Sequence, residues 1–215
     1  MTNRTLLIVA LLGVATLCAA EAPAPDADGW YSLFDGKSLK GWKPVASLDC
    51  FKVEDGKLVA GGAEMDHLLY EGPVNGGQFR NFELKAEVMT TPGSNSGIFF
   101  HTKPQKGALL KGYEAQIDTS HSDPRRTGSL FDVVDVTETK TKDNEWFEYD
   151  ILVQGKRIVL KVNGETIVDY TEPANPERSE RRKERVLSSG QLAIQGHDPK
   201  GKVFFRNLRI KPLPD

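Results

Sequence analysis

The segment Trp146–Tyr170, WFEYDILVQGKRIVLKVNGETIVDY, decides the fold class. It holds three short apolar runs that are separated by Gly155 and by the pair Asn163-Gly164. Glycine and asparagine adopt the positive φ that tight hairpin turns require, so each break between the runs is a hairpin signal. We therefore predict consecutive antiparallel strands over residues 146–154, 157–163 and 166–170.

Short apolar runs with turn residues between them recur along most of the chain, and Asp55-Gly56 marks a further hairpin turn. No segment keeps a 3.6-residue apolar period for three turns, so little helix is expected. Many short strands joined by hairpins indicate an all-β fold, a sandwich or jelly roll of two antiparallel sheets. The further strands are predicted over residues 31–34, 51–53, 57–60, 67–71, 82–90, 96–102, 113–118, 191–197 and 203–211.

Two long segments do not have the pattern of strands. Residues 119–145 are rich in Ser, Asp, Thr and Lys, and residues 172–190 contain the run Glu177–Arg185, in which eight of nine residues are charged. Because both signs are interspersed in this run, a solvated loop or a short helix is favoured over a partner-binding patch. Long loops of compact domains often carry function, so residues 119–145 are of more interest.

The composition excludes one class of partner, and the N-terminus predicts the compartment. Among 215 residues, 28 Lys+Arg against 30 Asp+Glu give a net charge of −2, which leaves no basic surface for nucleic acid. Arg4 is followed by an apolar run at residues 6–17 and then by small residues up to Ala20, the pattern of a secretory signal peptide. The run is too short to span a bilayer, so no membrane span is expected.

We therefore predict a cleavable signal peptide at residues 1–20, a Pro/Ala-rich linker at 21–28 and one domain at 29–213. The mature protein would be exported to the periplasm or the extracellular space. Lipid anchoring through Cys18 is a weaker alternative, because Leu17 is bulkier than the small residue that such cleavage prefers.

Cysteine and histidine usage argues against a redox or metal centre. Only Cys50 remains once the signal peptide is removed, so no intrachain disulfide can form, and a buried thiol is favoured over a nucleophile. No Cys/His pair has metal-ligand spacing, and no glycine-rich dinucleotide motif is present, so we predict no metal site and no cofactor. Calcium bound by loop oxygens is left open, although no dense acidic loop of fixed spacing occurs.

The strand YEAQID, residues 113–118, carries a row of polar side chains. Its alternation of period two places Glu114, Gln116 and Asp118 on one face and the apolar side chains on the other. The simplest interpretation is a solvent-facing outer sheet, since antiparallel sheets often have one wet face. The alternative is that the row lines a site.

Other strands repeat the alternation with polar residues that are less typical of a sheet face that is merely exposed to solvent. Phe99 and His101 are expected to share one face of the strand at residues 96–102. Gln195 and His197 are expected to share the polar face of the strand at residues 191–197. The polar row of a further strand includes Glu87. Two histidines that end strands on polar rows, beside Glu, Asp and Gln, indicate an assembled site.

Several separated motifs together carry a resemblance to a known family. The chain resembles the 3-keto-disaccharide hydrolase domain family, also described as 3-keto-α-glucoside-1,2-lyase/3-keto-2-hydroxy-glucal hydratase, from about Gly29 to Leu213. The resemblance implies a concanavalin A-like jelly-roll sandwich and a secreted sugar-processing protein. The motifs are GWYSLFDGKSLKGWK, FKVEDGKLVAGG, NFELKAEVMTTPGSNSGIFFHTK, GYEAQID, EWFEYDILVQGKRIVLKVNGETIVDY and GQLAIQGHDPKGKVFFRNLRIKPL.

The resemblance implies an enzyme that cleaves 3-keto-glycosides by elimination followed by hydration. A ketone at carbon 3 acidifies the proton on carbon 2, so a base can remove it while an acid assists departure of the glycosidic oxygen from carbon 1. Each proton transfer by a positioned side chain contributes about 10²–10⁴-fold, and no nucleophile is required. The 3-keto group would be installed by a separate sugar 3-oxidoreductase, a pathway partner.

The candidate site residues come from the polar rows and the family-like motifs. Glu114 and His197 are the leading acid and base candidates, and Asp118 and His101 come next. Gln116, Gln195 and Glu87 would orient hydroxyls or donate to the enolate oxygen. Tyr113 and Trp146 are candidates to stack on a sugar, although core packing explains both more simply.

Two other functions compete with this hypothesis. A glycoside hydrolase acting on unmodified glycans needs paired carboxyls about 5–9.5 Å apart. Glu114 and Asp118, four residues apart on one strand, have Cα atoms separated by about 13 Å. A lectin-like carbohydrate-binding module would be expected to keep aromatic side chains exposed, whereas these rows hold Glu, Gln, Asp and His.

Overall fold

The computed structural model describes residues 22–103 and 111–215, so the expected signal peptide lies outside the described residues. Short 3-10 helices at Leu48–Cys50, Val74–Gly77 and Glu180–Arg182 interrupt an otherwise all-β chain. Within those ranges no helix has the length and apolarity that crossing a bilayer takes. The described strands are β1 (Tyr31–Ser32), β2 (Trp42–Pro44), β3 (Phe51–Glu54), β4 (Lys57–Ala60), β5 (Asp66–Tyr70), β6 (Phe82–Thr90), β7 (Asn95–Thr102), β8 (Tyr113–Asp118), β9 (Phe147–Gln154), β10 (Arg157–Val162), β11 (Glu165–Thr171), β12 (Gln191–Gly196) and β13 (Val203–Pro212).

The strands form two antiparallel sheets. The larger sheet has the order β11-β10-β9-β6-β13-β4-β3, with β1 also paired to β13, and the smaller has the order β2-β5-β12-β7-β8. Chain neighbours often lie apart in the sheets; β6, for example, lies between β9 and β13. This is the topology of a jelly-roll sandwich, and the predicted all-β fold of two antiparallel sheets is confirmed.

The hairpins form where the turn residues predicted them. Gln154 pairs with Arg157 across the β9–β10 turn, and Val162 pairs with Glu165 across the β10–β11 turn. Gly164 has a φ of 77°, a left-handed conformation that costs glycine little because it lacks a Cβ. The segment Trp146–Tyr170 therefore contributes three adjacent strands to one edge of the larger sheet.

The core lies between the two sheets. Along β6, Phe82, Leu84, Ala86 and Val88 are buried and alternate with half-exposed polar residues, so one face of the larger sheet is apolar. From the smaller sheet, Tyr113 and other apolar residues of β8 meet this face. Burial of this apolar surface, at about 25 cal/mol per Å², is the main stabilising contribution to the sandwich.

Cys50 is a free, buried thiol at the end of a 3-10 helix, directly before β3. Its Sγ lies 2.9 Å from the backbone oxygen of Glu64, and burial raises the pKa of the thiol. A raised pKa leaves little of the reactive thiolate at neutral pH. The environment of Cys50 is therefore that of a structural residue.

The outer edge of β8 is covered by its own downstream loop. The backbone N–H groups of Thr127, Gly128 and Phe131 donate to carbonyl oxygens of β8 at 2.9–3.2 Å, and the N–H of Gln116 donates to Ser129. Part of the segment 119–145, which has no strand pattern in its sequence, thus extends the smaller sheet irregularly. This contact holds the loop beside the polar row of β8.

Candidate active site

The predicted polar row of β8 lies on the face of the smaller sheet that points away from the core. Glu114, Gln116 and Asp118 stand opposite Phe99, Gly97 and Asn95 of β7. The row is nonetheless enclosed, since its three side chains are at most 6% exposed. This burial contradicts a solvent-facing wet sheet and favours the alternative of a built polar site.

Glu114 is held by a buried ion pair. Its Oε2 accepts a hydrogen bond from Nη2 of Arg185 at 2.9 Å, and the Arg185 side chain is only 3% exposed. Burial raises the pKa of the Glu114 carboxyl, while the charge of Arg185 acts in the opposite direction. Gly97 provides the space for this carboxylate, because a Cβ there would lie 2.8 Å from Oε1 of Glu114.

The charged run 177–185 is mostly exposed and contains the short helix Glu180–Arg182, as expected of a solvated loop or short helix, but its last residue, Arg185, is buried. Guanidinium groups of Arg125, Arg182 and Arg185 lie 4.6–5.3 Å from the centroid of the Phe131 ring. Cation–π contacts of this kind contribute about 0.5–2 kcal/mol each. They fix the two long loops against each other over the edge of β8.

Gln116 and Asp118 continue the row towards the end of the sheet. Nε2 of Gln116 donates to Oδ1 of Asn95 at 3.2 Å. Oδ1 of Asp118 accepts from the backbone N–H of His121 at 2.9 Å and from Nη1 of Arg126 at 2.8 Å. Burial raises the pKa of Asp118, and these two donors oppose that rise.

A more accessible cluster lies where β8 and β12 end. His121, His197 and Asp198 meet there, and their side chains are 21%, 35% and 15% exposed. Oδ1 of Asp198 lies 3.1 Å from Nδ1 of His197 and 3.5 Å from Nε2 of His121, and the two imidazole rings are 5.9 Å apart. His197 is also near enough to Glu114 for its charge to affect that carboxyl.

These three residues are the set in residues 22–103 and 111–215 that brings metal-ligand atoms within 4.8 Å of one another. A ligating histidine usually donates the N–H of its other ring nitrogen. Nδ1 of His121 instead accepts the backbone N–H of Asp123 at 3.0 Å, so the proton of a neutral ring lies on Nε2. Nε2, the nitrogen of His121 that would have to bind the metal, therefore carries a proton. The three residues fit a metal ion poorly.

Gln195 and His67 form the far side of the same face. They are opposite each other in the β12–β5 ladder, and Nε2 of Gln195 lies 3.6 Å from Sδ of Met65. The His67 ring packs edge-on against Phe99 with 4.8 Å between centroids. The structure therefore brings Gln195 onto the face that carries the β8 row.

His67 should make stability depend on pH. Burial lowers its pKa from 6.5 to about 4 in the folded chain, so unfolding lets the ring bind a proton between these values. The contribution of the neutral His67 ring to stability is fully present above about pH 6.5 and is lost as the pH falls towards 4. Urea unfolding should show that the free energy of unfolding falls less between pH 7 and pH 4.5 for His67→Gln than for the wild type. Equal falls would contradict the assignment.

Two predicted site residues lie away from this face. The expectation that Phe99 and His101 share a face is wrong, because a shift in the β7–β12 register accompanies a positive φ of 55° at His101. The buried His101 ring donates from Nε2 to the Arg80 carbonyl at 2.8 Å and packs against Phe82. Tyr113 likewise faces the core, as the simpler interpretation expected.

Glu87 and Trp146 belong to the larger sheet rather than to this site. Glu87 is on the outer side of β6, where its carboxylate binds Arg206 at 2.7 Å and also contacts Asn207. The guanidinium of Arg206 lies 4.1 Å from the Trp146 ring centroid. The structure thus brings together Glu114, Gln116, Asp118, Gln195 and His197, and leaves four predicted residues elsewhere.

Sequence reasoning missed His121, Asp198 and Arg185. A local signal existed for the first two, because His121 follows Asp118 by three residues and Asp198 is next to His197. Arg185 had none, since its partner Glu114 is 71 residues away in the chain. Only the tertiary fold reveals that one residue of a charged run is buried.

The jelly-roll sandwich and its polar face place the chain in the concanavalin A-like class. Within that class it belongs to the family of 3-keto-α-glucoside-1,2-lyase-like domains, whose sequence profile matches residues 29–211. The predicted family is thereby confirmed.

Relatives and solved structures agree with this placement. The chain is 24% identical to the 3-keto-disaccharide hydrolase of Bacteroides thetaiotaomicron, over 94% of this chain and 84% of the relative. A candidate glycosyl hydrolase of Parabacteroides distasonis has a similar structure, with a TM-score of 0.74, 22% identity and coverage of 87% and 95% of the two chains. The lumenal domain of VIP36, solved with Ca²⁺ and Man3GlcNAc, shares the fold at a TM-score of 0.57 and 7% identity, with 90% and 92% covered.

Proposed function

We propose that this protein is an exported enzyme that cleaves 3-keto-disaccharides by elimination across carbons 1 and 2 and subsequent hydration. The observation that carries the proposal is the enclosed polar row of β8, whose end at Asp118 contacts His121 in the accessible cluster that includes His197. Family membership supports the substrate class, and the N-terminal sequence supports export. The ketone would be supplied by a sugar 3-oxidoreductase.

Two groups suffice for the chemistry. His197 removes the proton from carbon 2 as the bond between carbon 1 and the glycosidic oxygen breaks, and Glu114 gives a proton to that oxygen. In the resting protein the Glu114 carboxylate is paired with Arg185; burial raises its pKa against that charge, which eases its taking up the proton that it gives in this step. In the hydration step Glu114 takes a proton from water, the oxygen adds to carbon 1, and His197 returns a proton to carbon 2.

The amide side chains of the site would bind the sugar. Gln116 and Gln195 lie on the same face as Glu114, and each offers a donor and an acceptor to hydroxyls or to the ketone oxygen. Donors fixed in an enclosed site stabilise a developing enolate more than water does, because they need no reorganisation. The row thus provides both proton transfer and charge stabilisation.

The proposal is tested with purified protein and a 3-keto-trehalose-type disaccharide in D₂O. We expect release of the 3-keto-sugar with deuterium at carbon 2 and no cleavage of the unmodified disaccharide. Carbon 4 is also next to the ketone, so its deuterium content reports spontaneous exchange. Cleavage without deuterium at carbon 2 would contradict elimination, and binding of unmodified glycans without any turnover would favour a carbohydrate-binding module.

A further inference from the structure

We propose that Asp198 and His121 are positioning residues that fix the tautomer of His197, so that its Nε2 acts as the base. This inference rests on the proposed function for the role of His197. The tautomer itself is a property of the protein without substrate.

A backbone amide fixes the position of the proton on His121. The N–H of Asp123 donates to Nδ1 of His121 at 3.0 Å, and the side-chain amide of Asn95 lies 3.4 Å from the same nitrogen. An imidazole nitrogen that accepts a hydrogen bond carries no proton, so a neutral His121 is protonated at Nε2. A neutral imidazole held in this way is a donor of fixed direction.

That donor faces Asp198. Nε2 of His121 lies 3.5 Å from Oδ1 of Asp198, and the other carboxylate oxygen, Oδ2, accepts the backbone N–H of Asn95 at 2.7 Å. Both oxygens are thus directed by groups on β7 and on the loop after β8. The carboxylate is held in one orientation before any substrate arrives.

The held carboxylate in turn selects one nitrogen of His197. Nδ1 is buried, lies 3.1 Å from Oδ1 of Asp198 and makes no hydrogen bond within the described residues, because the ring is not aligned with the carboxylate. Catalytic hydrogen bonds are often poorly aligned without substrate and tighten in the complex. A proton on Nδ1 is the state that the carboxylate stabilises, and it leaves the lone pair on Nε2.

The exposure of the His197 ring also indicates that Nε2 is the nitrogen that faces the substrate. The His197 side chain is 35% exposed although Nδ1 is buried, so the exposed part of the ring is the edge that carries Nε2. The titratable groups near His197 are Asp198, His121, Glu114 and His67. Among them Asp198 is the carboxylate in contact with the ring. The arrangement of carboxylate, imidazole and free Nε2 is that of a positioned general base.

The test is the variant Asp198→Asn, with Asp150→Asn on the larger sheet as the matched control. Long-range ¹H–¹⁵N NMR of the imidazoles should show an Nδ1–H tautomer for His197 in the wild type and in the control. Asp198→Asn should shift His197 towards the Nε2–H tautomer and lower kcat/KM for the 3-keto-disaccharide about 10²–10⁴-fold, with KM changing much less. Far-UV circular dichroism would verify that the variant is folded.

Several results would overturn the inference. They are an Nε2–H tautomer of His197 in the wild type, an unchanged tautomer in Asp198→Asn, and tight binding of Zn²⁺ that perturbs His121 and His197 together. The NMR result needs no substrate. If the tautomer shifts as expected but no 3-keto-sugar is turned over, the positioning of His197 stands and the proposed function fails.

Discussion

Replacing Arg185 with methionine is expected to lower the free energy of unfolding by about 3–5 kcal/mol. Arg185 and Glu114 are both enclosed, and their 2.9 Å contact compensates two buried charges. Without the guanidinium, the Glu114 carboxylate stays buried next to Gly97 and loses the charged group that is hydrogen-bonded to it. Urea denaturation with linear extrapolation measures the loss.

Two further variants isolate the cause. Arg157→Met breaks an ion pair with Asp169 whose side chains are 56% and 46% exposed, so it should change stability little. Combining Arg185→Met with Glu114→Gln removes both charges and should recover a large part of the loss. An equal effect of Arg157→Met and Arg185→Met, or no recovery in the double variant, would show that the buried pair is not the reason.

His197→Ala is expected to lower kcat/KM for a 3-keto-disaccharide by about 10³-fold, with the fold retained. The ring lies in the accessible cluster and contacts Asp198, so its loss removes one of the two proton-transferring groups of the proposed mechanism. The His197 side chain is 35% exposed, so truncation opens no core cavity. Steady-state kinetics and thermal unfolding, measured on the same preparation, separate the two effects.

His101→Gln provides the opposite pattern. His101 is 2% exposed, and its Nε2 holds the Arg80 carbonyl, so this variant should lose stability while the kcat of its folded fraction changes little. Turnover that survives His197→Ala but fails in His101→Gln would reverse the assignment of the two histidines.

The strands were predictable because their signals are local. Alternation with period two placed the β8 row correctly, and glycine or asparagine marked the hairpins at Gly155 and Gly164. The short strand β2, Trp42–Pro44, was missed because three residues give no period to detect. Its partner β5 stabilises it through tertiary pairing.

The site was predictable only in part, for two physical reasons. Alternation fails where the backbone departs from regular pleating, which is why His101, with its positive φ, turned away from the face of Phe99. Loop residues have no period at all, so the positions of His121 and Arg185 depend on contacts with distant strands. A sequence pattern identifies rows of side chains, but not which rows a loop will enclose.

The backbone contacts of Thr127 to Phe131 with β8 have a consequence for behaviour in solution. A sheet edge with unpaired N–H and C=O groups can recruit a strand from a second molecule. Here the chain supplies those partners itself, as the bond from Gly128 N–H to the Gln116 carbonyl illustrates. The edge of β8 nearest the carboxylate row therefore offers a second molecule few unpaired backbone groups to bind.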